Sequence, residues 1–142
     1  QLELVARRVA DAPPIRALGL TPEGYTFGRG TLLGELIAAA GGVNAAGNYD
    51  DYRQIDDEAI RTLAPDVSLL TPAWELSHAA ALRANPAFAE VPAWRAGRFW
   101  TLPFSPAQPL DPGAAVLWLA AHFYPERFPQ WKRLAAWMPF TG

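Results

Sequence analysis

Apolar residues recur along this chain in two alternating rhythms, a three-to-four spacing and short continuous runs. Leu2, Val5, Ala6 and Val9 share one helical face, so residues 1–10 are predicted to be helical, and Pro13-Pro14 stops them. Ile15 to Leu20 reads as a short strand, and Thr21 to Gly30 as a Gly-rich loop carrying Tyr25 and Phe27. Thr31 is placed to cap a helix to about Ala40, with Leu32, Leu33, Leu36, Ile37 and Ala40 facing inward. Gly41-Gly42 supplies the left-handed stop. Residues 43–54 read as loop, with a brief strand near Val43. Asp56 caps the next helix, Ile55, Ala59, Ile60 and Leu63 give it an apolar face, and Ala64-Pro65 closes it.

Val67 to Leu70 is an apolar run interrupted only by Ser68, as expected of a parallel strand covered on both faces. Residues 76–84 are predicted to be helical up to the break at Asn85-Pro86, and Arg98 to Leu102 reads as a further strand. Asp111 precedes Pro112 as a cap precedes a first helical residue, and Val116, Leu117, Leu119, Ala120 and Phe123 carry that helix to Pro125. A last helix is predicted from Pro129 to about Met138, offering Trp131, Leu134, Ala135 and Met138. Strand alternating with helix predicts an α/β fold: three layers, αβα, around a mainly parallel sheet.

Composition narrows the function classes. The 142 residues suit one domain, and a chain this long buries roughly 68% of its unfolded surface. No apolar run approaches the roughly 18 residues that cross a bilayer. A net charge of −2 gives no electrostatic pull toward nucleic acid. The absence of cysteine excludes disulfides, thiolate metal sites and Cys nucleophiles. The chain opens at Gln1 inside a helical pattern, which reads as a cut through a longer protein.

Candidate chemistry is sparse. Gly28-Arg29-Gly30-Thr31 precedes a helix and matches neither phosphate-loop pattern, so it is either a glycine turn with a Thr cap or an anion site helped by Arg29. Tyr25, Phe27, Tyr49, Tyr52, Trp74 and Phe104 are all predicted in loops, most of them after strands. Flat rings there either cover the sheet ends or face a large planar or apolar ligand. Glu58 sits in a first helical turn, where the dipole favours a carboxylate by about 0.3–1 kcal/mol. His78 and His122 lack a second ligand at helical spacing, so no metal site is expected. Ser77-His78 has no nucleophile elbow, and Asp50-Asp51 and Asp56-Asp57 read as solvated loop and cap residues. No active site composes itself, no cofactor is expected, and the chain is not predicted to be an enzyme.

Several segments in order carry a resemblance. They are the strand near Ile15, Tyr25, Glu35-Leu36-Ile37, Gly41-Gly42-Val43-Asn44, Ile55 with Glu58, Leu63, Pro65-Asp66, Gly97-Arg98, and Tyr124-Pro125-Glu126-Arg127-Phe128. The order and spacing resemble the C-terminal lobe of periplasmic solute-binding proteins that feed cobalamin, haem and iron–siderophore ABC importers. The resemblance implies two α/β lobes joined by one long helix, with the ligand between them. Residues 1–12 would then be the end of the connecting helix and 13–142 the C-terminal lobe. It further implies Tyr52 and Tyr25 as ligand-facing aromatics, and the loop and helix-start readings add Arg29, Trp74 and Phe104 as candidate ligand-binding residues. Glu58, six positions after Tyr52, is implied as the docking residue for the transporter. The implied partners are a metal chelate or corrinoid, the membrane permease subunits and an N-terminal lobe of the same protein. The implied location is the periplasm or the cell surface. The chain departs from the cobalamin-binding members at Gly19, where a second aromatic is expected, and over Ser105 to Asp111. The rival reading is a doubly wound enzyme domain that binds a nucleotide or phosphate at Gly28–Thr31.

Overall fold

The computed structural model describes residues 2–109 and 111–129. The helix predicted from Pro129 to Met138, with Trp131, Leu134, Ala135 and Met138, lies outside the described residues. Six strands and six helices follow in order: α1 Leu2–Val9, β1 Arg16–Leu20, β2 Tyr25–Phe27, α2 Leu32–Ala39, β3 Val43–Asn44, β4 Tyr52–Gln54, α3 Asp57–Leu63, β5 Val67–Leu70, α4 Leu76–Arg83, α5 Pro92–Ala96, β6 Phe99–Thr101 and α6 Pro112–Phe123. Short 3-10 turns at Pro86–Phe88 and Pro125–Arg127 complete the described chain. Among the described residues, no helix is long and apolar enough to cross a membrane.

The parallel sheet has the order β3-β1-β5-β6. From β1 the chain moves outward to β3, then crosses back past β1 to β5 and on to β6. The winding direction therefore reverses between β1 and β5, at the kind of switch point where open α/β sheets leave a crevice at their carboxyl ends. Pleating sends alternate side chains to opposite layers. Ala17, Val67 and Leu69 pack with α1, α2 and α6, while Leu18, Leu20 and Leu70 pack with α3, α4 and the turn at Phe88. The predicted three-layer arrangement is present.

Local chemistry explains the helix ends. The Thr31 hydroxyl accepts from Gly34 N at 3.2 Å, Asp56 Oδ1 from Ala59 N at 2.8 Å, and Asp111 Oδ1 from Ala114 N at 3.1 Å. All three predicted caps are real caps. α3 ends on Ala64 in the left-handed region (φ 46°), because Pro65 bars a further helical turn. α2 stops at Gly41 (φ 90°), where a Cβ would meet Val9 at 2.7 Å. The Tyr124 hydroxyl, 2.8 Å from both the Gly41 and Pro13 carbonyl oxygens, ties that corner to the end of α6.

Three expectations need correction. Leu2 is 54% exposed and Ala6 is also exposed, so the packing stripe of α1 is Val5 and Val9 alone. Residues 92–96 form a helix that periodicity did not announce. Finally, Tyr25, Phe27 and Tyr52 are not in loops. They lie on β2 and β4, which pair antiparallel as a separate ribbon with Phe27 opposite Tyr52. Three residues per strand are too few to show alternation, but Tyr-Thr-Phe is a strand-favouring triplet.

Candidate functional site

The ribbon stands over the carboxyl end of β1. Thr21 N donates to Tyr25 O, Ile55 N to Gly24 O and the Gln54 side chain to Glu23 O, at 2.9, 2.9 and 3.1 Å. These bonds fix β2 and β4 as a wall rather than a swinging loop. Tyr25 stacks on Tyr52, with ring centroids 4.7 Å apart and planes 12° from parallel, and Phe27 tilts against Tyr52 at 5.2 Å. Such cross-strand aromatic pairs stabilise a short ribbon by about 0.2–1 kcal/mol each. Gly19 makes room below: a Cβ there would sit 2.7 Å from Leu33 Cδ2 and 2.9 Å from the Phe27 ring. The absence of an aromatic at position 19 is therefore what lets Phe27 and α2 close onto β1.

Beside this wall lies a cleft of about 670 Å³, within the range of small-molecule sites. Thr21 after β1, Thr71-Pro72-Ala73 after β5, Ser105-Pro106-Ala107 after β6, Thr31-Leu32 at the start of α2, and Phe27 and Tyr52 line it, with Glu23 as the charged member. It opens at the switch point of the sheet. Its wall is mainly apolar, and half of the Tyr52 surface is open to solvent.

The predicted site residues separate on this geometry. Tyr52 lines the cleft, and Tyr25 backs it. Arg29 forms an exposed ion pair with Asp50, which holds its guanidinium protonated and raises its pKa. Trp74 donates its indole N–H to Leu20 O at 2.9 Å and lines a smaller hollow of about 180 Å³ on the α3–α4 side. Phe104 is buried against Trp118, while its neighbours Ser105 and Pro106 reach the cleft. Glu58 lies exposed on the first turn of α3. Sequence reasoning passed over Thr21, Thr71 and Pro72; their signal is position, each following the last residue of a predicted parallel strand.

The Gly28–Thr31 loop resolves as a turn. Gly28 N donates to Asp51 O at 2.8 Å, Arg29 N to Tyr49 O at 2.7 Å, and the Thr31 hydroxyl to Gly28 O at 2.8 Å. A Cβ at position 28 would overlap the Tyr49 and Asp51 carbonyl oxygens, so only glycine fits. The Gly28 and Arg29 N–H groups and the Thr31 hydroxyl, donors that a phosphate would use, are spent inside the protein. Among the described residues, no group of three His, Asp or Glu side chains could hold a metal ion.

Comparison with known proteins agrees with the fold. Three solved structures illustrate the likeness. The molybdate-binding protein MolA of Haemophilus influenzae superposes with a TM-score of 0.80 at 22% identity, covering 91% of this chain and 42% of that one. Helicobacter pylori CeuE in a nickel–histidine complex gives 0.78 at 20%, covering 90% and 43%. A periplasmic haem-binding protein of Pseudomonas aeruginosa gives 0.70 at 26%, covering 87% and 47%. The chain thus spans less than half the length of each. No curated protein matches its sequence. The profile of the periplasmic binding protein family matches residues 3–106, from α1 through the last cleft-lining loop, and the chain belongs to that family.

Proposed function

We propose that this chain is one lobe of a two-lobed solute receptor for an ABC importer, exported to the periplasm or the cell surface. Its second lobe would lie in the remainder of a longer protein. The ligand is a metal chelate or corrinoid (haem, an iron–siderophore or cobalamin), taken whole and handed to the membrane permease. The observation that carries this reading is the apolar cleft at the sheet's switch point, walled by the stacked Tyr25–Tyr52 pair and Phe27. A rigid aromatic wall buries a broad, flat ligand face at small conformational cost. Tyr52 and Phe27 contact the ligand; Tyr25 holds Tyr52, and Trp74 and Phe104 hold the loops after β5 and β6. Arg29 reaches a ligand only after leaving Asp50. Glu58 serves the permease, not the ligand.

The test is an absorption titration of the full-length receptor with haemin, cyanocobalamin and ferric siderophores. Haemin comes first because the haem-binding neighbour is 26% identical. One of these probes is expected to bind, Tyr52→Ala to weaken it by about tenfold or more, and the isolated lobe to bind far more weakly than the receptor. Equal affinity in lobe and receptor would sink the two-lobe reading.

A further inference from the structure

Three threonines line the cleft, and their hydroxyls are used very differently. Thr31 is fully employed, donating to Gly28 O and accepting from Gly34 N. Thr21 is half employed, accepting from Tyr25 N at 3.0 Å. Thr71 stands at the carboxyl end of β5, beside the switch point, and is 5% exposed. Its backbone N–H is satisfied by Leu20 O at 3.2 Å, but its hydroxyl has no partner among the described residues. A buried hydroxyl without a partner is costly and calls for an explanation.

Thr26 and Ser68 carry the same defect, but neither lines the cleft and both are fully enclosed. Among the described residues, Thr71 combines a buried hydroxyl without a partner with a place on the cleft wall. That oxygen exposes less than 1 Å². A staggered rotation about χ1 can carry the hydroxyl to the position the methyl group holds, the methyl moving on to the third staggered site, so the same side chain can turn its oxygen to the cleft.

We propose that Thr71 is a ligand contact, its hydroxyl donating a hydrogen bond to an oxygen acceptor on the ligand's rim: a carbonyl, amide or carboxylate oxygen. The proposal rests on the cleft reading above and adds a polar group that would orient a ligand on a mainly apolar wall. Binding gives the hydroxyl the acceptor it lacks.

The experiment uses the full-length receptor and whichever of haemin, cyanocobalamin or ferrioxamine B it binds. Thr71→Val keeps the shape and removes the hydroxyl. It should weaken binding about tenfold, while Thr71→Ser restores most of it. Without ligand, Thr71→Val should leave the melting temperature unchanged or raise it. Ser68→Ala should leave affinity unchanged. Unaltered affinity in Thr71→Val overturns the contact, and so does a lowered melting temperature of that variant without ligand, which would show an internal partner. A receptor that binds none of the three probes overturns the cleft reading and the contact together.

Discussion

The two helical layers of this lobe are built by different means. On one face, α6 buries every residue from Ala114 to Ala121, together with Phe123, against α1 and α2. On the other, α3, α4 and α5 each bury a single residue: Ile60, Ala79 and Ala93. That thinner layer is held by anchors instead. Trp74 and Trp94 donate their indole N–H groups to Leu20 O and Leu82 O, both at 2.9 Å, and Phe88, Trp94 and Phe99 pack ring against ring. One layer derives its stability from area removed from water, the other from a few large rings with polar handles. The cleft sits where both end, with the start of α2 on one side and the loop leading to α4 on the other.

The largest expected effect tests that contrast directly. Leu33→Ala empties a fully buried site between α2 and the sheet and should cost about 2–5 kcal/mol. Ala79→Gly on α4 should cost only about 1 kcal/mol. Chemical denaturation of the two variants checks the pair, and similar losses would erase the distinction. Hydrogen exchange should open α3 to α5 before α2 and α6.

Next comes Gly19→Ala. Its Cβ would press on Leu33 and Phe27, both side chains, so the cost should be about 1–3 kcal/mol of strain. The displaced Phe27 also moves Tyr52, so ligand affinity should fall with stability. A variant that loses stability and keeps full affinity would detach the ribbon from the binding wall.

The dense face was far more legible in the sequence than the ribbon. Leu33, Leu36, Ile37 and Ala40 declare α2 by spacing and Thr31 declares its start, as Asp111 does for α6; on the thinner face the cap Asp56 announces α3. Val67–Leu70 could be read to the residue because a strand buried on both sides is apolar, here at every position but Ser68. β2 and β4 were missed because three residues cannot show a period, and their pairing is set by contacts across the chain. α5 was missed although Pro92 at its first position and Gly97 (φ 67°) at its end are a recognisable bracket. Of the cleft residues, Tyr52 was a candidate as a loop aromatic and through the family resemblance, which has an aromatic six positions before a Glu at a helix start. Thr71 was not, because an unpaired hydroxyl exists only once the fold has buried it.

A smaller effect belongs to pH, and it arises on the dense face. His122 stacks on Trp118 at 3.8 Å, and burial lowers its pKa below the ordinary 6.5, opposed by its hydrogen bond with Trp118 O. The folded lobe thus disfavours the protonated ring. The unfolded chain binds the proton first as pH falls through 6.5, so stability should decline there and rise again with pH. His122→Phe keeps a ring on Trp118 and should flatten the melting-temperature profile between about pH 7.5 and 5.5, above the carboxylate range. An unchanged slope would place the sensitivity elsewhere.

The smallest effect on stability is expected at Glu58, and it is the sharpest probe of the thin face. The start of α3 is already served: Asp56 Oδ1 accepts from Ala59 N at 2.8 Å, and Asp57 adds a carboxylate in the same turn. Glu58 is exposed and makes none of the cap bonds. Its remaining dipole contribution is screened, so Glu58→Ala should shift stability by less than about 1 kcal/mol. Asp56→Ala should cost more, because a cap donor is orphaned. A side chain that the fold can spare, on a layer held by anchors rather than by dense packing, is free to meet a partner. If that partner is the permease, a charge pair there governs encounter and orientation. Glu58→Ala in the full-length receptor should then reduce uptake while ligand titration stays unchanged. Normal uptake with weakened ligand binding would move Glu58 from the docking surface into the cleft.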